Sequence, residues 1–213
     1  MISISELSIR EGEVLGLVGN NGAGKTTLLN LMLDLIPATA GEVLIKGQAV
    51  AGSDHWKAFT GSYINENFLI PFLKPAEYLE FIAGLNDLSK DEIQSFYQQM
   101  AHFFQEGFDS KTLIRDLSLG NKNKVGILGA ILGKPELILL DEPFANLDPS
   151  SQSQLKSTLT ELGKGQNTIV VSSHDLGHIS AICTRIIILD KGQVVKDLPN
   201  QGQALEELER YFQ

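Results

Sequence analysis

The segment Gly19-Asn20-Asn21-Gly22-Ala23-Gly24-Lys25-Thr26-Thr27 stands directly after the apolar run Val14–Val18 and directly before Leu28–Ile36. A strand, a glycine-rich loop and a helix in that order form the setting in which such a loop binds phosphate. Gly19, Gly22 and Gly24 let the backbone curl so that successive N–H groups face inward at a helix N-terminus, where the dipole also favours an anion. Lys25 adds a mobile positive charge for the outer phosphates, and the Thr26 hydroxyl is placed to ligate Mg²⁺. The loop is therefore expected to hold a nucleoside triphosphate. A dinucleotide fingerprint fails here, because Lys25-Thr26-Thr27 follows Gly24 where the third glycine should fall.

Short apolar, often β-branched runs at Val14–Val18, Glu42–Ile45, Leu137–Leu140, Thr168–Ser172, Ile186–Leu189 and Gln193–Val195 read as strands. Helical patterns at Thr26–Ile36, Gln152–Leu162 and Leu176–Cys183 separate several of them, which favours an α/β core with a mainly parallel sheet. Leu28–Ile36 is apolar nearly all round and stops at Pro37, as a helix sandwiched inside such a core would. Between Pro75 and Asp116 the strand signal vanishes, and Glu77–Leu85 and Lys90–Phe104 look helical, with Ser89 and Glu92 forming a capping box. The expected organisation is one domain over 1–213, with an α/β core of 1–74 and 117–213 and an all-helical subdomain of 75–116. The acidic stretch Ala204–Phe212 reads as a solvated closing helix.

The 213 residues suffice for one well-buried core. A formal charge of −9 gives no field that gathers a polyanion, so direct nucleic-acid binding is not expected. Cys183 is the single cysteine, lies in the apolar stretch Ile182–Ile188, and reads as a buried thiol in a reducing compartment. No apolar run approaches the length of a membrane span, and the N-terminus lacks the basic-then-apolar layout of a signal peptide. A cytoplasmic chain is expected, unless another protein holds it at a membrane.

A second constellation begins where Leu137–Leu140 runs into Asp141-Glu142-Pro143, so that two carboxylates leave the end of a buried strand together. Beside a phosphate loop, Asp141 can hold Mg²⁺ and Glu142 can orient or deprotonate an attacking water. Leu117–Asn121 precedes a further helix, so Ser118 and Gly120 sit at an N-terminus with free amides; in isolation Ser118 reads as a cap. Ser172-Ser173-His174-Asp175 puts an imidazole at the same edge of the sheet. His174 and His178 are one helical turn apart, but Asp175 stands where a zinc protease would carry glutamate and no third ligand is evident, which argues against zinc.

These pieces, in this order, resemble the nucleotide-binding domain of ATP-binding-cassette (ABC) transporters. Gly19–Thr27 matches the Walker A loop, Leu117–Asn121 the family signature, and Leu137–Glu142 the Walker B strand with its catalytic glutamate. Ala145–Asp148 is similar to the D-loop, and His174 to the switch histidine. The resemblance implies an ATPase with a P-loop core, ATP and Mg²⁺ as ligands, and two domains joined head to tail, identical or different. In that arrangement Ser118 and Gly120 contact the γ-phosphate bound by the partner chain, and Asp148 lies across the interface. Hydrolysis then weakens the pair and drives a separate transmembrane permease, which puts the domain on the cytoplasmic face of the membrane. The stretch from Glu66 to Glu80 is implied to form part of the permease groove.

Several positions depart from the family pattern. Leu119 replaces a signature glycine, Asn121 replaces the final glutamine, and Glu66 occupies the Q-loop place where it would bring a negative charge near Mg²⁺. Leu119 and Glu66 are similar to the export-type branch. Family members also carry an adenine-stacking aromatic before the part that matches Ile2–Arg10. Either adenine is held differently here or the sequence starts inside a longer one; stacking of this kind is worth about 1 to 3 kcal/mol. Gly126, Gly129 and Gly133, in or beside the helix after the signature, each weaken it unless close backbone packing requires them.

The expected function is the ATP-hydrolysing subunit of an exporter. A soluble cassette ATPase that remodels a protein or nucleic-acid assembly, and a nucleotide-binding partner with little hydrolysis, are the alternatives.

Overall fold

The computed structural model of the chain describes residues 2–101, 103 and 111–200. Its main sheet has six strands: β1 (Val14–Val18), β4 (Thr60–Tyr63), β5 (Leu137–Leu140), β6 (Thr168–Ser173), β7 (Arg185–Asp190) and β8 (Gln193–Pro199), in the spatial order β4-β5-β6-β1-β7-β8. The first five in that order pair in parallel, and β8 closes the edge antiparallel to β7. Lys191 and Gly192, both at positive φ, make the two-residue turn between β7 and β8, as the strand twist demands.

Both faces of the sheet are covered, which is why its central strands read as continuous apolar runs rather than as an alternation. One face carries Leu15 and Leu17 of β1 and Leu139 of β5 against Leu28, Leu29 and Met32 of α1 (Lys25–Met32). The opposite face carries Ile138, Leu140, Ile169 and Val171 against Leu155 and Leu159 of α5 (Pro149–Lys164) and Ile179 of α6 (Leu176–Ile182). Among the described residues of 75–116 there is no strand. That stretch forms α2 (Pro75–Leu85), α3 (Lys90–Gln99) and a 3₁₀ turn at Ile114–Asp116, followed by α4 (Leu119–Ile131). Ser89 caps α3 as its sequence predicts, accepting from the Glu92 amide at 3.3 Å while its own amide donates to Glu92 at 2.8 Å. Phe104 and Ala204–Phe212 lie outside the described residues.

Three points differ from the sequence reading, and a fourth is explained. The helix after the loop ends at Met32 rather than Ile36: Asp34 adopts φ 51°, and Leu35 and Ile36 are 44% and 36% exposed. Leu33 stays buried, whereas Leu35 and Ile36, partly open to solvent, have less to gain from remaining helical. The run Glu42–Ile45 pairs only at Leu44–Ile45 (β2), with Gln48–Ala49 (β3), in a separate two-stranded ribbon. Strand β4, composed of Thr60-Gly61-Ser62-Tyr63, is a sheet edge without an apolar pattern and was not expected. The glycines of α4 are explained by close approach: a Cβ on Gly126 would lie 2.1 Å from the Tyr63 ring, and one on Gly129 would lie 2.9 Å from Tyr78.

Candidate nucleotide site

The site forms where β1, β5 and β6 end side by side at the carboxyl edge of the sheet, the place where open α/β sheets bind ligands. After Val18 the chain turns so tightly at Gly19 that a Cβ there would sit 2.3 Å from the Leu189 carbonyl oxygen. Gly22 and Gly24 take φ 84° and 112°, left-handed values that side chains rarely adopt. Gly24 is also the N-cap of α1 and offers no side chain, which leaves the first amides of the helix uncapped beside the loop. Asn20, Asn21 and Gly22 form the exposed crest of the loop, whereas Ala23 is buried and donates its amide to the Asn20 carbonyl at 3.0 Å. Thr27 follows, half-buried, in the first turn of α1.

Lys25 is only 6% exposed. Nζ donates to the Gly19 carbonyl at 2.6 Å and lies 3.3 Å from Glu142 Oε1. The side chain thus folds back over the loop, where its charge would meet an anion held there.

Strand β5 delivers the two carboxylates with different surroundings. Alternation along β5 and β6 puts Asp141 on the α1 face, two residues beyond Leu139, and Thr26 Oγ1 donates to Asp141 Oδ2 at 2.5 Å. Burial pushes the Asp141 carboxyl above the ordinary carboxylate range; hydrogen bonds from Ser172 and Thr26 oppose that shift, and the neighbouring Glu142 charge adds to it. Glu142 adopts φ 45°, which swings its carboxylate back over the site. Its Oε2 accepts from the His174 amide at 3.3 Å and lies 2.9 Å from His174 Nδ1. Lys25, Thr26, Asp141, Glu142 and His174 are therefore brought together. Thr26 and Asp141 offer two hard oxygens at one point, a donor set that suits a small divalent cation completing its shell with water and phosphate oxygens.

The remaining candidates stand apart from this cluster. Ser118 caps α4 and accepts from the Asn121 amide at 3.3 Å. Gly120 lies so close to the next loop that a Cβ there would be 2.5 Å from the Asn146 carbonyl oxygen. Asp148 caps α5, accepting from the Ser151 amide at 2.9 Å and the Ser151 hydroxyl at 2.5 Å, with Lys124 Nζ 3.4 Å away. The bonds from Ser151 hold its carboxyl well below the usual range. Asn123 ties α4 to the same loop, donating to the Ala145 carbonyl at 2.8 Å and accepting from the Tyr63 hydroxyl at 2.7 Å. Glu66 opens a 3₁₀ turn three residues beyond Tyr63, whose carbonyl accepts the Asp141 amide at 2.9 Å. Among the described residues Glu66 makes no hydrogen bond or ion pair with Thr26, Asp141 or Glu142. His178 lies in α6 while His174 precedes that helix; the His178 ring stacks on Phe144 at 4.5 Å, and its Nε2 is 3.6 Å from Asp175 Oδ2.

Ser172 is the residue that the sequence does not single out. Its hydroxyl donates to Asp141 Oδ1 and accepts the Glu142 amide at 2.8 Å. Its only signal is a polar residue at the end of the apolar run Thr168–Val171.

Comparison with known proteins bears on the family and the fold. The family profile described as "ABC transporter" matches residues 2–145. The chain is 35% identical over 208 residues to YhaQ, an ABC transporter ATP-binding protein of Bacillus subtilis (strain 168), covering 97% of this chain and 67% of that protein. It is 36% identical over 192 residues to the ABC transporter ATP-binding protein all4389 of Nostoc sp., covering 89% of this chain and 57% of that protein. A dimeric post-hydrolysis structure of the ATP-binding cassette MJ0796, bound to ADP and Pi, superposes with a TM-score of 0.81 at 27% identity, covering 92% of this chain and 89% of that one. The structure of cbiO1 from Clostridium perfringens, described as part of the ABC transporter complex cbiONQ, superposes with a TM-score of 0.73 at 26% identity, covering 96% and 84%. Among the described residues no helix is long and apolar enough to cross a membrane.

Proposed function

The chain belongs to the ABC transporter ATP-binding family and is an ATPase of that family, and from that premise we propose that it powers an exporter by driving a separate membrane permease. Two such chains, identical or different, pair when ATP is bound and separate after hydrolysis. The observation that carries the hydrolysis step of this reading is the Glu142 carboxylate, with one oxygen beside Lys25 and the other beside His174.

In this reading the amides of Gly19 to Thr27 and the Lys25 ammonium hold the phosphates of ATP. Thr26 and Asp141 would hold Mg²⁺, with Glu66 as a further oxygen donor from beyond the end of β4. The metal, when bound, neutralises charge developing on the phosphate oxygens. Glu142 takes the proton from a water that attacks the γ-phosphorus as the bond to the bridging oxygen breaks, leaving ADP and inorganic phosphate. His174 holds the Glu142 carboxylate in place for that transfer.

Ser118 and Gly120 at the N-terminus of α4, with Asp148, form the surface offered to the ATP of the second chain. Leu119 and Glu66, both similar to the exporter branch, support export. The described helices within 75–116, α2 and α3, are read as a helical subdomain beside an α/β core drawn from the described residues of 1–74 and 117–213. The groove lined by Leu35, Trp56, Tyr63, Phe68 and Tyr78, to which Glu66–Glu80 contributes, receives a permease helix and holds the chain at the cytoplasmic face of the membrane.

The test is Mg²⁺-dependent ATP turnover, alone and with the membrane protein that co-purifies in mild detergent. Turnover that rises with that protein and is lost in Lys25→Ala is expected. Turnover equal to that of Lys25→Ala in both conditions overturns the proposal.

A further inference from the structure

Ser172 is fully buried, with 0% exposure, at the end of a strand whose preceding residues Ile169, Val170 and Val171 are also fully buried. A hydroxyl in such a place needs partners for both its hydrogen and its lone pairs. Here both partners belong to the acidic pair of β5. The single hydrogen goes to Asp141 Oδ1, and a lone pair receives the Glu142 amide at 2.8 Å. The parallel register explains the meeting: Leu140 stands opposite Val171, so the next step along each strand brings Asp141 beside Ser172.

The two bonds have separate consequences. With Oδ1 held by Ser172, Asp141 presents Oδ2 to the Thr26 hydroxyl at 2.5 Å. With its amide held, Glu142 keeps φ 45°, a left-handed conformation that is uncommon for a residue with a side chain. That conformation is what carries its carboxylate to Lys25 and His174. We infer that Ser172 is a positioning residue for ATP hydrolysis, whose one buried hydroxyl sets both the metal-facing oxygen of Asp141 and the backbone turn that aims Glu142. The inference rests on the hydrolysis reading given above.

The experiment compares the full wild-type chain with Ser172→Ala and Ser172→Thr. It measures hydrogen exchange of the Glu142 amide without nucleotide, steady-state Mg-ATP turnover, and the thermal midpoint. In Ser172→Ala the Glu142 amide is expected to exchange at least about tenfold faster, and kcat to fall roughly ten- to hundred-fold with little change in KM. The thermal midpoint stays within a few degrees of wild type. Ser172→Thr, which keeps the hydroxyl, restores protection and most of kcat. Wild-type protection or wild-type kcat in Ser172→Ala overturns the inference. So does a loss of kcat that tracks the thermal midpoint and is not restored by threonine. A wild-type chain without turnover, both alone and with the co-purifying membrane protein, defeats the hydrolysis reading and this role with it, whereas an active wild type with an unaffected Ser172→Ala defeats this role alone.

Discussion

The hydroxyl of Thr26 donates to the carboxylate of Asp141 at 2.5 Å, joining the first turn of α1 to the end of β5 across 115 positions of sequence. The contact unites the phosphate loop with the acidic strand end and creates the two-oxygen point at which a divalent cation is proposed to bind.

Thr26→Ala removes one of those oxygens and leaves Asp141 in place. The Mg²⁺ concentration giving half-maximal turnover is expected to rise about tenfold or more, the loss that goes with one hydrogen-bonding or ligating group. Thr26→Ser should stay near wild type. A Mg²⁺ titration of ATP turnover reads both, and an unchanged midpoint in Thr26→Ala removes Thr26 from the metal set.

Gly126 and Gly84 make opposite predictions from the same substitution. A Cβ on Gly126 meets the Tyr63 ring, whereas one on Gly84, in α2, meets nothing within 4 Å. Gly126→Ala should therefore destabilise the chain by about 1 to 3 kcal/mol. Gly84→Ala should stabilise it by about 0.5 to 1 kcal/mol, the helical preference of alanine. Denaturant unfolding of the two variants checks the contrast, and equal effects of one sign contradict the packing described.

The Asp148 carboxyl is held below its usual range, chiefly by Ser151. A group depressed in the folded state contributes stability above its unfolded pKa of about 3.9 and loses it as pH falls toward the folded value. Asp148→Ala is expected to cost about 0.5 to 2 kcal/mol, the usual loss of a helix cap. That deficit should be constant between about pH 5 and pH 8 and shrink below about pH 4. Unfolding curves for wild type and variant across that range test it; a deficit independent of acid means that the charge of Asp148 does not carry the cap.

Much of the fold could be read from the sequence because its signals are local. Val14–Val18 and Leu137–Leu140 are strands buried on both faces, so their apolar runs stand out, and the loop and the acidic pair follow them directly. What escaped depends on contacts distant in sequence. Thr60–Tyr63 is a strand because β5 supplies its hydrogen-bond partners, not because its residues prefer one. The apolar residues Leu35 and Ile36 leave the helix and are only partly covered. Helix α5 begins at Pro149, three residues before the apolar period at Gln152, because Asp148 and Pro149 form a cap and first turn that carry no period. Ser172 and the left-handed Glu142 each make sense only once β5 and β6 lie side by side.

The central claim is that Lys25, Asp141 and Glu142 converge on one Mg-bound ATP with Glu142 as the base. Release of inorganic phosphate by Glu142→Gln, alongside its ATP affinity, tests it most directly. Affinity is expected to stay within about threefold of wild type while turnover falls roughly hundred-fold or more, the contribution of a positioned general base. A Glu142→Gln chain that hydrolyses ATP at the wild-type rate contradicts the account.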